Sequence, residues 1–438
     1  MDKNATTAAD IFGYLTSKFE SLEERPLSDV DSLVLACMSY YRIPEDAADA
    51  RSGRGMPVAD LLRAEWMGQM THGLWSPSGL SRLLCCVVAS PRFRGMRVCN
   101  YVSETDDAAQ KQFAACTLKL PSGDLYVSFR GTDNSLVGWK EDFNMAFETG
   151  VPSQLRAVEY LERVARGARG RIYIGGHSKG GNLAVYAAAN CKKTVFSRIE
   201  RVFSHDGPGF TAEALSSADY AERAGKLSKT VPESSLIGMM FEQQEAYSVV
   251  KSTQVGVMQH DPFSWVVDGT SFAMAEGISR GAGFVDESVN EWISKMSREE
   301  REGFVNALFS VLYAGGQDTL AGLKGNLSVT LPAMISQLAI MDEKQRGYLV
   351  QAVGGLAQAF LPDFEMPSFE FSGFEMAAPA AIETAQGEGD AQQDEVPESE
   401  GLLARLKAAM SQLAAQEYED EPGAEGKGPE ADPEGASA

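Results

Sequence analysis

Residues 171–190, RIYIGGHSKGGNLAVYAAAN, put a short apolar strand, a glycine-rich turn and a small-residue helix in immediate succession. Within the turn, Gly176-His177-Ser178-Lys179-Gly180 is a G-x-S-x-G sequence. In this strand–turn–helix setting such a sequence makes a nucleophile elbow, a strained tight turn that presents the serine at its tip. Side chains two residues before and two after the serine would collide, which explains the glycines. Gly181 and Ala184 are small where the helix must pass close to the sheet. The pattern predicts Ser178 as a nucleophile; the plainer reading of the motif is an ordinary strand-to-helix turn.

The surroundings extend this unit to an α/β fold. Arg97 to Val102, Gln112 to Leu120 and Leu125 to Phe129 read as strands, the last two joined by the hairpin turn Pro121-Ser122-Gly123-Asp124. A helix capped by Ser153, with Leu155, Val158, Leu161 and Ala165 on one face, leads to the strand at Arg171 to Ile174. Lys179 to Asn190 is the next helix and Ile199 to Ser204 the next strand. Alternating helix and strand implies a mainly parallel sheet covered on both faces. The first ninety residues read as helical, notably Asp29 to Tyr41 and Val58 to Trp66. Helical patterns return from Asp286, with a capping box at Ser297 to Glu300 and segments at Thr330 to Ile340 and Glu343 to Phe360. The expected organisation is residues 1–275 as the α/β domain with its N-terminal helices, 276–362 as a helical extension and 363–438 as a disordered acidic tail.

Charge separates the last of these from the rest. The 438 residues carry a formal net charge of −22; from Asp363 onward there are 19 acidic and 3 basic side chains, which leaves only −6 for the body. No basic stripe is available for a nucleic-acid backbone. In the tail, Leu402 to Leu413 has the composition of a short helix that forms on a protein partner, or of a transient one with no role. The start has no apolar stretch of signal-peptide length, and no apolar run reaches the ~18–20 residues that span a bilayer. Six cysteines without CxxC spacing read as buried thiols in a reducing compartment, so a cytoplasmic protein is expected. Four histidines without ligand spacing point to neither a metal nor another cofactor.

A serine hydroxyl needs a base, usually a histidine held by a carboxylate, and in hydrolases with this elbow the order is Ser, acid, His. His72 precedes the sheet, and His177 points away from the tip. His205, at the end of the very next strand, leaves little room for an acid. His260, in MQHDP, lies on a loop far enough downstream and is the expected base. For the acid the chain offers two residues. Glu233, in TVPESS after a candidate strand, is favoured; Asp206, at the end of Ile199 to Ser204 and beside Gly207-Pro208-Gly209, is the alternative. The oxyanion of a tetrahedral intermediate needs donors. One is expected from the backbone N–H of Lys179 and another from Thr132, through its N–H and also its hydroxyl, where the strand VSF ends in Arg-Gly-Thr.

FRGT at Phe129 to Thr132, followed by GHSKGG at Gly176 to Gly181, resembles the class 3 lipases, which are α/β hydrolases. More closely, the chain is similar to a bacterial family of unknown function related to them, the Mbeg-like proteins. LSDVDSLVLACMSY, YVSFRGTD, GHSKGGNLAVYAA, DGPGF, VPESSLIGMM and QHDPFSW carry the likeness. The resemblance implies Ser178 as nucleophile, Glu233 as acid by position, His260 as base and Thr132 with Lys179 as oxyanion donors. It also implies a lid at Asn134 to Ala146 with Trp139 as an apolar tip; a helix fixed in place is the alternative. Class 3 lipases usually have Asp where Glu233 stands, an uncharged residue in place of Lys179, and Gly-Ser-Pro in place of Asp206-Gly207-Pro208. A charged neighbour of the serine fits a polar or acidic ester as well as a triglyceride.

The expected function is an intracellular serine hydrolase that cleaves a small-molecule or lipid ester. The alternative is a catalytically inactive binding or scaffold protein on the same fold, with the acidic tail as a contact for a protein partner. A membrane-surface role is weaker, since the tail would repel anionic lipid.

Overall fold

The computed structural model describes residues 9–360 except 212–214, 216–221 and 242–245. The acidic segment 363–438 and the helix expected at Leu402 to Leu413 lie outside the described residues. Eight strands lie in chain order across one sheet: β1 Met56–Pro57, β2 Arg97–Asp106, β3 Lys111–Lys119, β4 Leu125–Phe129, β5 Ile172–His177, β6 Ile199–His205, β7 Leu227–Pro232 and β8 Tyr247–Val250. β1 to β4 pair antiparallel and β4 to β8 parallel. The change of direction follows from the connections. β3 and β4 are joined by a tight turn in which Gly123 takes φ 85°, whereas a parallel neighbour is reached only by a long crossover.

Helices cover both faces. On the N-terminal side these are α1 Ile11–Leu15, α2 Asp29–Cys37, α3 Ala48–Arg51, α4 Ala64–Thr71 and α5 Pro77–Ala89; further along come α6 Leu136–Asn144, α7 Pro152–Gly167 and α8 Lys179–Asn190. Alternation along the strands assigns the faces. Tyr126, Tyr173 and Phe203 join the core built with α1, α2, α4 and α5. Val127, Phe129, Ile172, Ile174 and Val202 join the core built with α7 and α8. This is the α/β-hydrolase arrangement that the elbow and the alternating pattern imply.

α2 is set by its own sequence. Ser28 caps it, and Asp31 three residues later completes a capping box. The Asp31 carboxylate is fully buried and also takes the Arg92 guanidinium at 2.6 and 2.8 Å. A 3-10 turn, Met38–Tyr40, continues α2 towards the end of the sheet that carries the elbow.

Three local expectations change. Val58 to Trp66 is not one helix: Pro57 closes β1, Val58–Leu61 is a 3-10 turn, and the chain breaks at Leu62 (ψ 75°) before α4. α7 starts one residue earlier than its expected cap, with Pro152 at the first helical position and Val151 before it; a proline there costs no hydrogen bond. Cys37, Cys99, Cys116 and Cys191 are buried, but Cys85 is exposed on α5.

The C-terminal helices Arg280–Lys295, Arg298–Ala314, Leu320–Gly325, Leu327–Ile340 and Glu343–Phe360 pack with one another and onto α6. The Ser297 capping box forms as expected. The chain at 318–320 bridges to 134–136 through Leu136 N–H to Asp318 O (2.8 Å) and Leu320 N–H to Asn134 O (3.1 Å). Phe309 packs edge-on against Phe143 of α6. Among the described residues no helix is long and apolar enough to cross a membrane.

Candidate active site

Between β5 and α8 the chain turns within one residue, and Ser178 takes φ 59°, ψ −136°. A non-glycine residue adopts such a backbone only when its surroundings force it. Two close approaches do so here. A Cβ on Gly176 would meet the carbonyl carbon of Gly180 at 2.2 Å, and one on Gly180 would meet the Phe129 carbonyl oxygen at 2.2 Å. The turn is pinned to the neighbouring strand by Ser178 N–H to His205 O at 2.9 Å. Ser178 is half-buried at the turn.

His260 lies beside this turn. Its ring centroid is 4.6 Å from that of His177, and its Nδ1 is 2.6 Å from Asp206 Oδ2. Asp206 is fully buried and takes φ 51° directly after β6. Its other carboxylate oxygen accepts from Ser235 Oγ at 2.5 Å. The structure therefore brings Asp206, and not the favoured Glu233, to the histidine. The physical reason is strand order. β6 is next to β5, so a residue just past β6 is one strand spacing, about 4.8 Å, from the elbow. Glu233 follows β7, one strand farther out. It is half-buried and offers its backbone carbonyl to Ser279 N–H at 2.8 Å. The VPESS segment reaches the site through other atoms: Ser235 on Asp206, and Ser234 N–H on the Gln259 side chain at 2.7 Å. A Cβ on Gly238 would meet Asp206 Oδ1 at 2.2 Å, so the residue over the carboxylate must be bare.

His205 is buried between Thr230 Oγ1 (2.7 Å) and Ser32 Oγ (2.9 Å). His72 is exposed after α4. Burial pushes the His205 imidazole down to about 4 and holds His177 well below the ordinary histidine value. The unfolded chain, with histidines near 6.5, therefore binds protons that the native state refuses. Stability is expected to be complete above pH ~6.5 and to fall as the pH drops towards 4, by about 3 kcal/mol from His205 at the limit. Urea midpoints between pH 7 and pH 5, above most of the carboxylate range, should decline; a flat series would contradict this origin.

Thr132 and Lys179 flank the elbow. A Cβ on Gly131 would stand 3.1 Å from Ser178 Cβ, which puts the end of β4 against the serine. The Lys179 N–H belongs to the first turn of α8, where no intrahelical acceptor exists. The Thr132 hydroxyl, in contrast, donates to the Asp142 carboxylate, so it is already engaged.

The Lys179 side chain corrects another expectation. Its ammonium is 1% exposed and lies 3.1 Å from Glu141 Oε2 and 3.4 Å from Asp142 Oδ1, both on α6. Burial opposes the charge, but the two carboxylates outweigh it and raise the lysine above its ordinary pKa. The positive charge next to the serine thus points into the protein and gives no reason to favour an acidic ester. Glu141 is itself fully buried and accepts Gln112 N–H (2.9 Å) and Ser153 N–H (2.8 Å). α6, the segment expected as a lid with Trp139 at its tip, is thereby tied to β3, α7 and α8. Trp139 is half-buried, and the helix is held in place beneath the Arg298–Ala314 helix.

Sequence reasoning missed Ser235 as a partner of Asp206 and the link from His177 to the His260 turn. Neither motif carried a signal for these contacts, since each joins residues far apart in the chain.

A family model described as Mbeg1-like matches residues 87–310, a little over half of the chain. No curated protein sequence matches it. Similar solved structures include the native Rhizomucor miehei lipase propeptide complex, at 14% identity over 39% of this chain and 66% of that one, with a TM-score of 0.26. A triacylglycerol lipase with a serine-protease triad as its catalytic centre matches at 15% identity over 51% and 78%, with a TM-score of 0.33. A fungal lipase in an inhibitor complex matches at 13% identity over 63% and 94%, with a TM-score of 0.34. The chain thus spans just under two thirds of the length of the Rhizomucor protein. The fold assignment rests on the sheet order and the elbow described above.

Proposed function

This chain belongs to the Mbeg1-like family, and from that premise we propose that it is a serine hydrolase that cleaves a carboxylic ester. The observation that carries the reading is the 2.6 Å contact of His260 Nδ1 with the buried Asp206 carboxylate, beside a serine held at φ 59° on a strand-to-helix turn. The carboxylate accepts a hydrogen bond from Nδ1–H, which stays on the ring and leaves Nε2 unprotonated to act as base. Ser178 Oγ attacks the ester carbonyl while Nε2 takes its proton. The N–H groups of Lys179 and Thr132 hold the resulting oxyanion. Collapse expels the alcohol, which takes the proton from the imidazolium, and leaves an acyl-Ser178 ester. Water, deprotonated by Nε2, then releases the carboxylic acid and restores the serine.

An ester is favoured over an amide by the likeness of the FRGT and GHSKGG segments to class 3 lipases. A cytoplasmic location and a protein partner for the acidic tail belong to the same proposal.

Labelling with a fluorophosphonate probe tests it. The wild-type protein is expected to label, and Ser178→Ala and His260→Ala, folded by circular dichroism, are expected to lose the label. Labelling that persists in Ser178→Ala would remove the assignment of the nucleophile. A folded wild-type protein that does not label would favour a binding or scaffold protein on a hydrolase fold.

A further inference from the structure

His177 ends β5, directly before Ser178. It is 2% exposed and lies among Tyr40, Trp265 and His260. Its Nε2 is 2.9 Å from the backbone carbonyl of His260, and its Nδ1 is 2.9 Å from the Tyr40 hydroxyl. These two contacts determine the proton. A carbonyl oxygen only accepts, so Nε2 carries the hydrogen; a neutral imidazole has one N–H, so Nδ1 accepts and Tyr40 donates. Burial keeps the imidazole neutral and pushes the Tyr40 hydroxyl far above its ordinary pKa. One tautomer is therefore satisfied at both ends.

We propose that His177 is a positioning residue for His260, holding the histidine-bearing turn in register with the nucleophile through its Nε2–H bond to the His260 carbonyl. The inference rests on the serine-hydrolase reading. His260 sits on a 3-10 turn, Gly256–His260, which has no regular sheet or long helix to hold it. Trp265 Nε1–H fixes the carbonyl of Gln259 at 2.9 Å, and the Gln259 side chain bridges to Ser234 N–H and Gln254 O. Those bonds steady the turn on its own loop and on the end of β7. The His177 bond joins it directly to β5, the strand that carries Ser178. Asp206, from the end of β6, holds the imidazole of His260 from its Nδ1 edge. The ring is thus fixed by one strand and the backbone behind it by the next. A displacement of the order of 1 Å between reacting groups costs about 10²-fold in rate, which sets the scale of the effect.

The chemistry also assigns a role to Tyr40. Without its hydroxyl, Nδ1 is buried without a donor and the ring is held on one side only, by its Nε2–H bond to the His260 carbonyl. Tyr40→Phe should therefore act in the same direction as loss of the imidazole, with a smaller effect.

The test is the fluorophosphonate labelling rate of the full chain at a series of probe concentrations, for wild type, His177→Phe, His177→Gln and Tyr40→Phe. The folded fraction is measured by circular dichroism, and rates are taken per folded molecule. His177→Phe is expected to lower the maximal labelling rate about 10- to 100-fold with the half-saturating probe concentration little changed. His177→Gln keeps an N–H donor near the Nε2 position and should recover most of that loss. Should His177→Phe not fold, the Gln and Tyr40→Phe variants decide: Tyr40→Phe slower than wild type with Gln close to wild type supports the role. Folded His177→Phe, or in its place Tyr40→Phe, that labels like wild type would overturn the proposal while leaving the hydrolase reading intact. A wild-type protein that does not label removes that reading, and the positioning role falls with it.

Discussion

Asp206→Asn is expected to lower kcat for hydrolysis of a p-nitrophenyl ester by about 10⁴-fold, with KM little changed. Asp206 Oδ1 accepts from Ser235 Oγ–H and Oδ2 faces His260 Nδ1. An asparagine keeps its oxygen for the serine hydroxyl and turns its NH₂ to the imidazole. Nδ1 then has to accept, the proton moves to Nε2, and the ring can no longer take a proton from Ser178. The geometry survives while the tautomer is wrong, so the loss falls on kcat. Glu233→Gln, half-buried and one strand farther away, should stay within about twofold of wild type. Steady-state kinetics of the two variants decide between the carboxylates. Equal losses, or a loss confined to Glu233→Gln, would contradict the assignment of Asp206.

Lys179→Met should be the most destabilising change near the site, by about 3–5 kcal/mol. Lys179 is 1% exposed and Glu141 is fully buried, so removing the ammonium leaves a buried carboxylate without its counter-charge. The same carboxylate holds the chain at Gln112 and Ser153, so the penalty reaches beyond the elbow. Urea denaturation of the variant should show a large fall in midpoint at unchanged slope. Lys179→Met combined with Glu141→Gln removes both charges and should recover part of the loss. A single variant as stable as wild type would mean that the pair contributes nothing to holding α6.

Much of the fold could be read from local pattern. The helix Lys179–Asn190 has its expected bounds, and β4, β5 and β6 lie where alternation and the hairpin turn put them. The Ser297 capping box starts its helix. These features depend on neighbours within a few residues, which is the range over which capping, turn chemistry and hydrophobic period act. Val58 to Trp66 failed for a related reason: its apolar spacing suits a helix, but Met56 and Pro57 are drawn into pairing with β2 across about forty residues of chain.

The site divides along the same line. The strained turn at Ser178 is written in the sequence itself, because it needs glycine at 176 and 180 and those requirements lie inside the motif. His260 was singled out because the chain has only four histidines, and its ring meets a buried carboxylate. The carboxylate beside it did not follow, because which one meets the imidazole depends on which strand lies next to β5 and on the positive φ of Asp206. The direction of the Lys179 charge and the His177 bond to the His260 turn likewise join residues 38 and 83 positions apart. Local sterics and periodicity are written in consecutive residues. Hydrogen bonds and ion pairs between distant segments exist only once the sheet has set those segments side by side, and that step belonged to the tertiary structure.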